Sequence, residues 1–98
     1  MTVKDFYKGQ TAYVRISKTS NAGRRIPQDA PLQAYIEPVQ VLSVGRKYIT
    51  VLWRRYTKVR FDIENRFIEY TDGFSNGLRL YATFEDALTS MQVDTTWR

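Results

Sequence analysis

The chain contains no cysteine and no histidine among its 98 residues. Without cysteine there is no disulfide framework, no thiolate metal site and no thiol nucleophile. Without histidine the commonest general base and the commonest metal ligand are gone as well. A catalytic triad or a zinc site cannot be assembled from what remains, although a carboxylate pair or a Mg²⁺ site is still possible in principle; the expectation is no cofactor and no bound metal. Apolar runs are short, and none approaches the roughly 20 residues of a membrane span. The opening Met1-Thr2-Val3-Lys4-Asp5-Phe6-Tyr7 lacks a hydrophobic signal core. The expectation is a soluble cytoplasmic protein with no membrane partner.

What the sequence does have is rings and arginine. A domain of this length buries only roughly 60–65% of the surface of its unfolded chain, so its core depends on large side chains. Seven Tyr, five Phe and two Trp supply them. Arginine outnumbers lysine ten to five, and the guanidinium fork suits phosphate and carboxylate contacts. The charge is unevenly spread. Ten basic residues between Arg15 and Arg60 face only Asp29 and Glu37, while residues 61–98 carry three basic and seven acidic residues. The first of these segments is an electropositive source suited to an anionic partner.

Periodicity predicts a mostly-β single domain over residues 1–98. Residues 1–9 read as a short turn that lids the domain. In Gln10–Ile16, Ala12, Val14 and Ile16 share one face, as in a half-buried strand. Residues 17–33 have no period and read as a long basic loop. Ala34–Val44 reads as a long strand with Pro38 at an edge or bulge. A change of parity between Val41 and Leu42 predicts a bulge there. Gly45-Arg46-Lys47 makes a turn into Tyr48–Trp53, where Ile49, Val51 and Trp53 point inward. Lys58–Glu64 alternates strictly and sets Val59, Phe61 and Ile63 inward. Glu64-Asn65-Arg66 reads as a hairpin with positive φ at Asn. Phe67–Tyr70 and Leu78–Ala82 complete the strands. Thr83 caps a short C-terminal helix over residues 83–92, whose stripe of Phe84, Ala87, Leu88 and Met91 would cover an open end of the barrel. Trp97 is open to three roles: docking on the barrel, meeting a second subunit, or standing exposed.

Gly9-Gln10-Thr11-Ala12-Tyr13-Val14 resembles the opening strand of SH3-like small barrels. Val44-Gly45-Arg46-Lys47-Tyr48-Ile49-Thr50-Val51 resembles their central hairpin. With Val59-Arg60-Phe61-Asp62, Glu64-Asn65 and Leu80 through Ala87, the order is similar to that of uncharacterised small SH3-like β-barrel proteins of bacteriophages and bacterial mobile elements. Arg66 stands where those barrels place Gly after Asn. The resemblance implies a small barrel, or a strongly bent five- to six-stranded antiparallel sheet with a short C-terminal helix. It implies no catalytic residues.

The candidate binding residues are Arg24, Arg25, Arg46, Lys47, Arg54 and Arg55, with Tyr48 and Tyr56 as stacking rings and Tyr35 nearby. They fall in loops or at strand ends, where side chains project. Several arginines can neutralise successive phosphates while rings stack on bases. Lys58, Arg60, Asp62 and Glu64 read as a solvent face of cross-strand ion pairs. Asp62, Glu64, Glu69 and Asp72 lack the convergence that acid–base or metal chemistry needs. The expectation is a non-enzymatic binding module that holds nucleic acid or a nucleoprotein, its oligomeric state open. The alternatives are an anti-defence inhibitor, such as an anti-CRISPR, docking on a host enzyme, and a sponge for an anionic signalling nucleotide. A continuous basic stripe with exposed rings would favour the first, an apolar patch beside the charge the second, and arginines converging in a closed pocket the third. On this reading, reversing Arg24 and Arg25 to Glu should abolish partner binding and leave the fold intact.

Overall fold

Alternation decides which side of each strand enters the core, and in this chain it closes a barrel. The computed structural model describes residues 2–71 and 77–96, with side chains as far as 92. Six antiparallel strands follow one another in chain order: β1 (Thr11–Ile16), β2 (Ile36–Val44), β3 (Tyr48–Trp53), β4 (Thr57–Asp62), β5 (Ile68–Tyr70) and β6 (Leu78–Tyr81). β6 returns to β1, pairing Tyr13 with Tyr81 and Ile16 with Leu78, so the sheet has no open edge. The inward faces are those the alternation predicts. Ala12, Val14, Ile16, Ile49, Val51, Phe61, Leu78 and Leu80 have at most 1% of their surface exposed. The bulge falls where parity changes: Val41 pairs with Val51 and Ser43 with Thr50, leaving Leu42 as the extra residue. Pro38 lies beyond the last β2–β3 pair, Gln40 with Leu52, where its missing N–H costs no bond to β3.

Both ends of the barrel are stoppered by connections. A 3₁₀ turn at Val3–Asp5 delivers Phe6 against Phe67, ring centroids 5.3 Å apart, and Gly9 N–H donates to Val41 O. At the other end lies a helical turn, α1 (Asn21–Arg24), within the stretch expected to be structureless. Ser20 caps it through the Gly23 N–H, and Ala22 joins the barrel core. Gly23 is required there, because a Cβ would sit 1.9 Å from Ser17 O. A second 3₁₀ turn, Leu32–Tyr35, buries Tyr35 and moves the start of β2 to Ile36.

Three other expectations are corrected. Ile63 is not in β4 but begins a 3₁₀ turn, Ile63–Asn65, in which the Asp62 carboxylate accepts the Glu64 N–H; Ile63 is half-buried against the core. Positive φ falls on Arg66 and Phe67, at 55° and 59°, rather than on Asn65. That left-handed pair turns the Phe67 ring into the barrel mouth, and burial of the ring offsets the conformational cost. The C-terminal helix, α2 (Phe84–Thr96), runs longer than expected and covers no barrel end. It lies outside the β1–β6 wall, where Ala87 and Met91 join Tyr35, Ile36 and Tyr81, with Tyr13, Phe84 and Leu88 packed around them. Arg15 crosses to it, donating to Ser90 Oγ at 3.0 Å. The apolar residues on the outer faces of β1, β2 and β6 therefore form a second core. Trp97 and the loop residues Asp72 to Asn76 lie outside the described residues. No helix among those described is long and apolar enough to cross a membrane.

Phe61 has no exposed surface, so Phe61→Ala should destabilise the domain by about 3–5 kcal/mol. Asp86 N–H donates to Thr83 Oγ1 at 3.1 Å, so Thr83→Ala should cost about 1 kcal/mol through loss of the cap. Urea unfolding of both variants reads these differences. An unchanged midpoint for Phe61→Ala would show that the strand is inverted.

Candidate functional site

The placement of α2 divides the outside of the barrel. One wall is covered by the helix; among the described residues, the wall formed by β3, β4 and β5 carries no other element. Its outward residues follow from register. Tyr48 faces Asp62, Thr50 faces Arg60 and Leu52 faces Lys58 across β3–β4, while Arg60 faces Tyr70 and Asp62 faces Ile68 across β4–β5.

Three of these side chains form one unit. The Tyr48 and Tyr70 rings stand 5.0 Å apart at 47°. The Arg60 guanidinium lies over both, 5.3 Å from the Tyr48 centroid and 5.2 Å from that of Tyr70. Cation–π attraction holds the guanidinium beside both rings without a carboxylate partner. Tyr70 remains 38% exposed and Ile68 39%. At one end of this unit the β2–β3 turn presents Arg46 and Lys47, both exposed. At the other end the β3–β4 turn presents Arg55 and Tyr56, the latter 89% exposed, with exposed Lys58 following. Among the described residues no carboxylate pairs with Arg46, Lys47, Arg55, Lys58 or Arg60. The acids on this wall are Asp62, engaged with its own turn, and exposed Glu64.

The expected set of residues is therefore divided. Arg46, Lys47 and Tyr48 lie at one end of this wall, and Arg55 and Tyr56 stand on the turn at its other end, where Arg55 also lines a groove with Thr11, Pro38, Gln40 and Leu52 of the adjoining β1–β2–β3 face. Arg24 and Arg25 are exposed at α1, at the barrel end where β3 finishes and opposite the end that carries Arg46 and Lys47. Tyr35 is buried, with Lys18 over its ring at 5.4 Å. Arg54 is not free to bind. Its Nε donates to Glu37 Oε1 at 3.1 Å and its Nη2 to Oε2 at 2.8 Å, and its guanidinium stacks 4.4 Å from the Trp53 ring. The residues that sequence reasoning missed are Arg60, Tyr70 and Lys58. Arg60 and Lys58 were assigned to a solvent face, and only the β4–β5 register brings Tyr70 beside Arg60.

Glu37 explains the commitment of Arg54. It occupies an inward position of β2, opposite Val14 and two residues before buried Val39. A carboxylate at the barrel mouth needs partners. Trp53 Nε1–H donates to its Oε1 at 3.0 Å, and the Arg54 fork closes both oxygens. The fork holds Glu37 below the usual carboxylate range against the upward push of burial, with the Trp53 bond and the Arg54 charge acting in the same sense as the fork. The same bond raises Arg54 above its ordinary value.

Arg54 and Arg55 both have left-handed backbone, with φ of 54° and 70°. Such a turn favours Asn and Gly, and a residue with a Cβ costs about 1–2 kcal/mol there. For Arg54 the fork to Glu37 and the Trp53 stack offset that cost. Arg55 makes no comparable contact, so its strain brings no visible stabilisation. Two shallow grooves flank the wall and the helix. One, of about 460 Å³, includes Pro38, Leu52, Arg54 and Arg55; the other, of about 430 Å³, includes Arg66, Arg79, Tyr81 and Asp86. Among the described residues no His, Cys, Asp or Glu cluster could hold a metal ion. No protein-family model, no curated protein and no solved structure matches the chain.

The Glu37 arrangement predicts a pH dependence. Because its pKa is lower folded than unfolded, its contribution is fully present above the unfolded value of about 4.3 and is lost as pH falls through the folded one. Glu37→Gln should cost about 1 kcal/mol at neutral pH. Its melting temperature should converge on that of the unmodified protein below about pH 4. Parallel curves from neutral pH into acid would show that the pair contributes no charge-dependent stability.

Proposed function

We propose that this protein is a non-catalytic binding module that holds nucleic acid against its β3–β4–β5 wall. The observation that carries this reading is the continuous stripe from Arg46 and Lys47, through Tyr48, Arg60 and Tyr70, to Lys58, Arg55 and Tyr56. Cations without carboxylate partners meet phosphates, and neutralising each phosphate releases counterions. Ring faces offer stacking surfaces, which every base can use, and the Arg60 guanidinium beside them adds a cation. The net charge of +5 adds long-range attraction. A nucleotide sponge would need its arginines convergent, whereas the paired basic residues of the two turns stand at opposite ends of β3.

The test is fluorescence anisotropy with labelled mixed-sequence DNA and RNA, each supplied as single and double strand. Binding is expected at about 50 mM salt, weakening log-linearly as salt rises, by about 0.7–0.9 in slope for each phosphate engaged. Arg46→Glu with Lys47→Glu should weaken it at least about tenfold, since lost attraction is compounded by repulsion. Arg24→Glu with Arg25→Glu, away from the wall, should weaken it less. Arg55→Gly relieves the left-handed strain and should leave stability unchanged or raised by up to about 1 kcal/mol, while weakening binding. Failure of every nucleic acid to bind at low salt would overturn the proposal.

A further inference from the structure

Resting on that reading, the geometry points to a single strand, laid along β3 from one basic turn to the other, as the form of nucleic acid this wall holds. The order of chemistry along β3 is cation, rings, cation. Arg46 and Lys47 precede Tyr48 directly, and Arg55 with Tyr56 follows Trp53 by two residues. The span from Lys47 to Arg54 is roughly 20 Å by strand rise. That length matches about four nucleotides, the low end of what one small barrel covers.

The rings argue against a duplex. In a double helix each base face is already covered by its neighbour, so Tyr48, Tyr70 and Tyr56 would find sugar and phosphate only. A single strand can splay its bases onto them. The Arg60 guanidinium carbon lies 5.3 and 5.2 Å from the Tyr48 and Tyr70 centroids, which keeps its donors on this face beside the rings, where phosphate or base oxygens can reach them. Closure of the barrel also curves the wall outward. A convex wall meets a straight duplex at few phosphates, whereas a flexible strand follows the curve. Tyr56, almost wholly exposed at the tip of a strained turn, is then a second stacking point beyond the central pair.

The experiment uses the full chain and fluorescein-labelled oligothymidylates of graded length, with a duplex of about 20 base pairs as comparison. Affinity should climb steeply up to about four to six nucleotides and then level off. The duplex should bind at least about tenfold more weakly. Tyr70→Ala and Tyr56→Ala should each lower single-strand affinity by about 5- to 100-fold and leave duplex affinity unchanged. Tyr70→Phe, which keeps the ring, should restore binding, and thermal melting of each variant confirms that it is folded. Equal affinity for duplex and single strand, or folded alanine variants that bind as before, would overturn this inference while the nucleic-acid reading stands. Absence of binding by both forms removes the reading and the inference together.

Discussion

Closure of β6 onto β1 is the constraint on which the rest of this molecule depends. A sheet of six short strands would otherwise expose two rows of unpaired backbone groups, each a template for aggregation. The return pairing from Tyr13–Tyr81 to Ile16–Leu78 removes both edges. Closure also sets the interior, since six strands leave room for side chains and nothing else. Ile16, Ile49, Phe61, Leu78 and Leu80 fill it. The closed barrel leaves no free edge strand among the described residues.

The two arginines of the β3–β4 turn show how stability and presentation are divided. Both sit in backbone that their Cβ atoms disfavour. Arg54 is repaid by a two-point bond to a carboxylate that the barrel mouth has half desolvated, and by the Trp53 ring beneath it. Without Arg54, Glu37 would hold a charge against the apolar end of β2 with only the indole N–H to satisfy it. With it, the turn is anchored on one side, and Arg55 and Tyr56 are carried outward on the other. A single rigid anchor thus lets an unfavourable turn display a cation and a ring whose own contacts contribute little to folding.

Strand parity was legible because alternation is local. Ala12, Val14 and Ile16 in β1, Ile49, Val51 and Trp53 in β3, and Val59 and Phe61 in β4 declare their inner face without reference to any other strand. The parity change at Leu42 declares the bulge in the same way. Other features depend on pairing, and a single strand does not encode pairing. Arg60 looked like a solvated charge until register set it between Tyr48 and Tyr70. The bond between Glu37 and Arg54 spans 17 positions; its one local clue was an acid on the inward parity of β2. α1 is a single turn containing a glycine, too short to leave a period. For α2 the apolar stripe was correctly read, but a stripe does not say which surface it covers. The answer lay in outward apolar residues elsewhere, Tyr13, Ile36 and Tyr81, which pack against that stripe.

Those same outward residues explain why the opposite wall is available. The long helix α2 packs where outward positions are apolar. On β1, β2 and β6 they are Tyr13, Ile36 and Tyr81, which bury against Ala87 and Met91. On β3, β4 and β5 they include Tyr48, Thr50, Lys58, Arg60 and Tyr70, a mixture of rings and cations that a helix could cover only by desolvating charge. Cation–π contact resolves the conflict locally: the Tyr48 and Tyr70 rings are partly screened by Arg60, and the guanidinium stays wet at its edges. The wall thus keeps cations and rings together at its surface, in contrast to the apolar outer face that α2 buries. Packing of the helix on one side and display of the stripe on the other are therefore one decision, made by the outward residues of six strands.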